Sequence, residues 1–395
     1  MAGINFASYP NITKLTIGNN TICNQSFQNA FSNMSNLSNC TFPVNNVVNM
    51  YSTFYNCYNL TGSPVCGPNT TNMASAYYYC NKLTGTPVCG DKVTDMSNAY
   101  YFCWSITGSP VCGPNVTNMC NTYCSCNSLT GIPVCGSNVT DFSRAYDLCN
   151  KITGSPVCGN NVNNMFRTYY CCVNLTGNPV CGDKVTNMAR TYYECYNITG
   201  SPVCGPNVTN MTEAYEECRN ITGSPVCGNK VGNMWNAYYN CTKLTGAPVC
   251  GPNVYDMQRA YYNCSNLTGS PVCGNTVESM NYTYYNCRNL SGAPACGDSV
   301  HDLSYAYCNC PNLKGNAYFY SNYINKVTNC FYGRNTSNML NIYIYNNTSG
   351  RTLTNIIANA ATNSLVGAAI TWINDTANKR YYNTTYNIYI YYTLT

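Results

Sequence analysis

Charge is what this chain has least of. Only 8% of its 395 residues are charged, the formal net charge is +5, and the 19 lysines and arginines are scattered rather than run together. Affinity for a polyphosphate grows with the number of phosphates neutralised, so nucleic acid is not an expected partner. Histidine is nearly absent: His301 stands alone, which leaves little for imidazole-based acid–base catalysis or zinc ligation. No stretch of about 18 apolar residues exists, so no membrane insertion by a helix is expected. The opening MAGINFASYPNITKLTIG has neither a basic start nor an unbroken apolar core and does not read as a secretory signal. The chain is then expected to leave the cell by another route, to reach the outside within an assembled particle, or to have lost a signal.

What the chain has is repetition. ITGSPVCGPNVTNM occurs intact at residues 106–119 and 198–211, with edited copies between. Repeats are read first, because each unit contacts only its neighbours and length no longer counts domains; one elongated body is expected. The 30 cysteines fall mostly in two registers with a 23-residue step. One is Cys66, Cys89, Cys112, Cys135, Cys158, Cys181, Cys204, Cys227, Cys250, Cys273 and Cys296; the other runs from Cys57 through Cys80 and Cys103 to Cys310. Aligned on that step, Leu83, Ile106 and Leu129 share a column, Val93 to Val300 another, and Met73, Met96, Met119 and Phe142 a third. A small residue followed by tyrosine, as in Ala76-Tyr77 and Ala99-Tyr100, adds two more. A single coil buries its apolar side only when equivalent residues stack above and below it, so these columns predict a repeat solenoid.

The order L-T-x-x-x-V…V-T-x-M-x-x-A-Y-x-x-C-x-x-L resembles the BspA-like leucine-rich repeat family and its M-x-x-M-F-x-x-C units, found in surface proteins of bacteria and some protists and in bacteriophage proteins. The resemblance spans roughly residues 57–313. It implies a right-handed leucine-rich-repeat-like coil with a short parallel strand in each 23-residue turn, and it implies surface recognition or adhesion less firmly, since fold does not dictate function. The chain departs from the family where the strand belongs, because each coil reads T-G-S-P-V-C-G. Proline donates no ladder hydrogen bond and glycine weakens a strand, so two or three paired residues per coil are expected, centred on pairs such as Val111 and Cys112. A second extended piece is expected at V-T-N-M.

The ends differ. Residues 1–56 keep fragments such as FQNAFSNMSNL but lack P-V-C-G, as an N-terminal cap with degenerate repeats would. The solenoid is assigned to residues 57–312, and residues 313–395 to a degenerate coil and an aromatic α+β C-terminal module. Within it LNIYIYNN predicts a strand, TNIIANAATNSL a helix, and YYNTTYNIYIYYTLT a final aromatic strand. An exposed edge of that kind invites aggregation, so it is expected to be paired, with a second subunit as one candidate and homo-oligomerisation through this module as the corollary.

Candidate chemistry is sparse. Parallel strands stack about 4.8 Å apart, within reach of disulfide rungs, and the structural cysteine ladder is either bridged or a buried row of thiols; the missing export signal favours thiols. Cys120, Cys124, Cys126, Cys171 and Cys172 depart from the pattern, but without paired C-x-x-C spacing they call for no metal, and nothing calls for a cofactor. His301 shares the register of Thr117 and Thr140 and reads as a surface substitution. Glu194, Glu213, Glu216 and Glu217 cluster, and paired carboxylates can hydrolyse glycosides, yet a solvated acidic patch is the expectation. Arg144, Arg167 and Arg190 occupy equivalent places in successive coils, followed by Glu213. Like charges so stacked repel, which splayed side chains and Glu213 offset, or an anionic ligand does. After the constant tyrosine comes a register holding Tyr78, Tyr101, Tyr170, Tyr193, Tyr239, Tyr262 and Tyr285, broken by Cys124, Asp147, Glu216 and Cys308; these rings either line a recognition ridge or pack on one another. Asn-x-Ser/Thr recurs at Asn59, Asn115, Asn138, Asn207 and Asn266, where repeat letters generate the motif. The expected function is non-enzymatic recognition or adhesion towards a cell-surface protein or glycan, outside the cell, on a virion tail or fibre or a bacterial surface. The alternative is a structural subunit of a fibre or sheath joined through its termini.

Overall fold

A computed structural model describes residues 6–9, 11–18, 25–345, 351–358, 364–368 and 370–392. The chain divides into two compact units, Met1–Ile198 and Thr199–Thr395. Each is mostly non-helical, has few strands, and carries a regular tyrosine ladder at the 23-residue step, compatible with a solenoid.

In the first unit the logic of one coil is set by where its backbone hydrogen bonds go. Along M-x-x-A-Y-x-x-C alternate N–H groups reach the next coil: Met73 to Asp95 O at 2.9 Å, Ser75 to Ser97 O at 2.8 Å, Tyr77 to Ala99 O at 2.9 Å and Tyr79 to Tyr101 O at 2.8 Å. Intervening groups fold back three residues, as Ala76 does to Met73 O and Cys80 to Tyr77 O. Keeping both sets drives every fourth residue into the left-handed region, at Ser75 (φ 54°) and Tyr79 (φ 60°) here and at the same two places in later coils. A non-glycine residue there is costly, asparagine least so. The T-G step is a third such place. Gly108 has φ +80°, and a Cβ on it would sit 2.6 Å from Thr86 Oγ1, so this turn admits only glycine.

The expected pairing at Val111 and Cys112 does not form. Tyr123 Oη accepts from Val111 N–H at 3.0 Å and donates to Val111 C=O at 2.7 Å, so one phenol satisfies both groups that a strand would have paired. Parallel bridging sits instead in the V-T-N-M piece, one residue per coil, at Asn72, Asp95, Asn118, Asp141, Asn164 and Asn187. Ladder strands appear where P-V-C-G is missing: β1 (Lys14–Thr16) pairs in parallel with β2 (Asn39–Thr41). Inside the unit Val93, Met96, Ala99, Tyr100, Cys103 and Ile106 are fully buried, as are their equivalents in neighbouring coils. The core rings stack at 5.5 Å from Tyr77 to Tyr100 and again from Tyr100 to Tyr123, within 5° of parallel.

The second unit repeats this design from Tyr215 to Tyr307, with ring spacings of 5.5 to 5.6 Å. It then changes to a five-stranded sheet. β3 (Gly315–Phe319) continues the P-V-C-G column, since Phe319 bridges Cys296 in parallel. β4 (Leu340–Ile344), β5 (Ile373–Asp375), β6 (Arg380–Asn383) and β7 (Ile388–Tyr392) complete it in the order β3-β4-β7-β6-β5. The aromatic tail expected as one strand is a hairpin, β6 and β7, because Asn387 turns the chain at φ 50°. β7 lies between β4 and β6, so both its edges are satisfied within the chain. The helix, α1 (Arg351–Ile357), begins before the segment expected to be helical; part of that segment, residues 359–363, lies outside the described residues. Ile342, Ile344, Ile388 and Ile390 are buried on one sheet face. Arg334, buried as well, donates to the carbonyls of Asn338, Tyr386 and Asn387, and burial brings its guanidinium down to about 10.

Candidate functional site

The arginine column is neutralised from within. Asp147, whose side chain has no exposure, accepts from Arg144 Nε at 3.0 Å and from Arg167 Nε and Nη2 at 2.9 and 3.2 Å. In the sequence Asp147 reads as an interruption of the tyrosine register; its i, i+3 spacing from Arg144 is the signal of the pair. Burial disfavours the Arg144 charge, but the hydrogen bond and charge of Asp147 outweigh it and raise the guanidinium. Arg167 also lies over the Tyr170 ring at 3.9 Å. Arg190 occupies the same column, with φ 57°, and is engaged in interactions of its own. An anionic ligand is therefore not required to hold Arg144 and Arg167 side by side.

The tyrosine ridge is half-buried and self-stacked. Tyr170 and Tyr193 stack at 4.6 Å in the first unit; Tyr239 and Tyr262, then Tyr262 and Tyr285, stack at 4.7 Å in the second. The structure thus brings together Arg144, Arg167, Tyr170 and Tyr193, and separately Tyr239 and Tyr262. Ring packing and partial exposure coexist at each.

The acidic cluster is not a solvated patch. Glu213 and Glu216 are buried, and Glu216 accepts from Asn236 Nδ2 at 3.0 Å. Glu217 is half-buried and holds Arg219 and Asn240, while Glu194 accepts from the Cys171 thiol at 3.5 Å. Burial and the Glu194 charge push the Cys171 thiol up to about 12. His301 is half-exposed, and its N–H donates to Glu278 O just as Thr117 donates to Thr94 O in the column it shares.

Both cysteine columns are free thiols, as is every described cysteine. The ladder from Cys66 to Cys273 is half-buried, not buried; the fully buried column is the other one. There each thiol donates to a carbonyl of the preceding coil, as Cys103 does to Tyr77 O and Cys126 to Tyr100 O, both at 3.0 Å. Burial pushes Cys57 and Cys89 up to about 12, which removes the thiolate that reactivity needs. Cys120 accepts from Ser143 Oγ, and Cys124 lies against Ser125. Among the described residues no three metal-capable side chains come together, and no helix is long and apolar enough to cross a membrane. The sequon amides act structurally: Nδ2 of Asn59, Asn115, Asn138 and Asn266 each donates to a backbone carbonyl one coil back.

A further, part-exposed aromatic cluster is legible in the sequence only through Tyr78 and Tyr101. Tyr55, Tyr78 and Tyr101 stack at 4.5 and 4.8 Å; beside them Tyr79 and Phe102 stack at 4.7 Å, flanked by Tyr58 and Trp104. Trp104 is 45% and Tyr58 42% exposed. Burial, then the neighbouring Tyr55 and Tyr101 hydroxyls, raise Tyr78 to about 12. The available signal was two aromatic registers side by side over successive coils.

Comparison of the sequence with family models and with curated proteins finds no match.

Proposed function

We propose that this chain is a non-enzymatic recognition or adhesion protein: right-handed BspA-like coils that present rings to a cell-surface protein or glycan, carried on a phage tail or fibre or on a bacterial surface. One observation carries the reading: part-exposed aromatic rings recur in register on a backbone fixed by coil-to-coil hydrogen bonds. Tyrosine and tryptophan held rigid give large contact area at small entropic cost. Acid–base chemistry has little footing, because the Arg144–Asp147–Arg167 charges neutralise one another and Glu216 is committed to Asn236.

A second reading, a fibre or sheath subunit, is favoured by the outer face of the C-terminal sheet, where Tyr318 and Tyr320 are 41% and 44% exposed. Binding of the labelled chain to bacterial cells separates the two. Recognition predicts that Tyr170→Ala with Tyr193→Ala, or Trp104→Ala, lowers cell binding while Tyr318→Ala leaves it unchanged. The fibre reading predicts the reverse, with Tyr318→Ala altering assembly in sedimentation.

A further inference from the structure

The seven rings spanning residues 55–104 form one connected surface in the first unit. Tyr78 meets Tyr79 at 5.0 Å and joins the two stacked columns; Tyr58 meets Tyr79 at 6.4 Å, and Phe102 meets Trp104 at 6.1 Å. Within the columns the rings cover one another's faces, so Tyr55, Tyr78 and Tyr101, all half-buried, offer edges. The flanks differ. Tyr58 and Trp104 share one column two coils apart, and each is tilted from its neighbour, by 80° and 54°, so that ring surface stays open. Asn81 stands between them in that column, and its amide oxygen has no hydrogen-bond partner in the protein.

Charge narrows the occupant. No residue between Lys14 and Lys82 is charged. Lys82 is exposed beside the column, and Arg144, the cation that acts on Tyr101, is tied to Asp147. Asp147, the carboxylate that acts on Tyr101, is tied to the same arginine, and the remaining charges before Trp104 are of mixed sign, Lys82, Asp91, Lys92 and Asp95, so neither an anionic nor a cationic polymer meets a run of opposite charge. Open rings at two ends suit the C–H faces of a pyranose, and a row of hydroxyls between them suits its hydroxyl groups. The rungs repeat at 4.5 and 4.8 Å, close to the advance of one sugar along an extended chain. We infer that this surface binds a linear, neutral oligosaccharide lying along the coil axis, with Tyr58 and Trp104 as end platforms and Tyr78 and Tyr101 as hydrogen-bonding rungs. This rests on the recognition reading and names its ligand.

The test is calorimetric titration of the full chain with cello-oligosaccharides and chito-oligosaccharides of increasing length, with sulfated and sialylated oligosaccharides alongside. Affinity should climb with length until the sugar spans three coils and then level off, and neutral chains should outbind anionic ones. Trp104→Ala and Tyr58→Ala should each weaken binding about tenfold or more, with thermal melting unchanged because both side chains are exposed. Tyr101→Phe, which keeps the stack and removes a hydroxyl, should weaken it less. Wild-type binding by the Trp104 and Tyr58 variants, or preference for anionic chains, overturns the inference. Cell binding without any oligosaccharide binding overturns the ligand class and leaves recognition standing; absence of both overturns both.

Discussion

At the scale of the residue, the tyrosine of each coil acts as a backbone group. Its hydroxyl replaces the strand partner that P-V-C-G cannot find, at Tyr77 for Val65 as at Tyr261 for Val249. The sequence carries its own control. Where the residue twelve earlier ends or directly follows a ladder strand, the column holds phenylalanine: Phe54 matches Phe42 after β2, and Phe331 matches Phe319 at the end of β3. Tyr146→Phe strips the partner from Val134 N–H and C=O at once and should cost about 2 kcal/mol, read from urea unfolding, whereas Tyr101→Phe should cost little. Asp147 is the second such residue. Asp147→Ala leaves two guanidinium groups facing each other and should destabilise by about 2 kcal/mol; Arg144→Ala should cost less, because Arg167 keeps the carboxylate paired through two bonds. The column of Asn98, Asn121 and Arg144, all with φ near 54°, makes a third case. Asn98→Val should lose about 1 to 2 kcal/mol, and Asn98→Gly almost nothing.

At the scale of the element, strands form where proline and glycine leave the ladder column and fail where they remain. That rule is legible in part: composition weakens T-G-S-P-V-C-G as a strand, yet it still predicts a short pairing at Val111 and Cys112 that does not form, while the strand at Leu340–Ile344 is there as the alternation predicts. What replaced the strand was not legible, because a tyrosine twelve residues downstream reaches Val only after the coil has closed. The tail was misread for a related reason. Alternating Tyr and Ile predict strand, but Asn387 at φ 50° splits it into β6 and β7, and a local turn outranks the periodicity. Candidate residues are legible as columns and obscure as partners: the arginines share one register, whereas the buried aspartate that pairs them lies in another and reads only as a break in the tyrosines. In the sheet, β7 is central and β5 is an edge. Ile390→Ala should therefore cost about 2 to 4 kcal/mol, while Ile373→Ala, 47% exposed, should change the unfolding midpoint very little.

For the whole molecule, the dominant titration is of groups that must stay protonated. Burial raises the thiols of both cysteine columns above their ordinary 9.0, Cys57, Cys89 and Cys227 to about 12, and raises core tyrosines such as Tyr100, Tyr123 and Tyr261 well above their ordinary 10.0. A group whose folded value is raised holds its proton in the folded chain and releases it on unfolding once pH passes the ordinary value. Its stabilising contribution is complete below pH 9 and is lost as pH climbs towards the folded value. Each such group takes up to about 1.4 kcal/mol per pH unit in that window, and because the columns repeat in coil after coil the losses accumulate. Urea unfolding should give nearly the same stability at pH 6 and pH 8, then a steep fall between pH 9 and pH 11, far steeper than for a protein of equal size with few buried thiols. The same measurement reports on the sulfur chemistry, since disulfide rungs carry no proton to lose. If the columns are bridged in the native material, the thiol share of the alkaline fall disappears and returns after reduction; if they are thiols, reduction leaves the curve where it was.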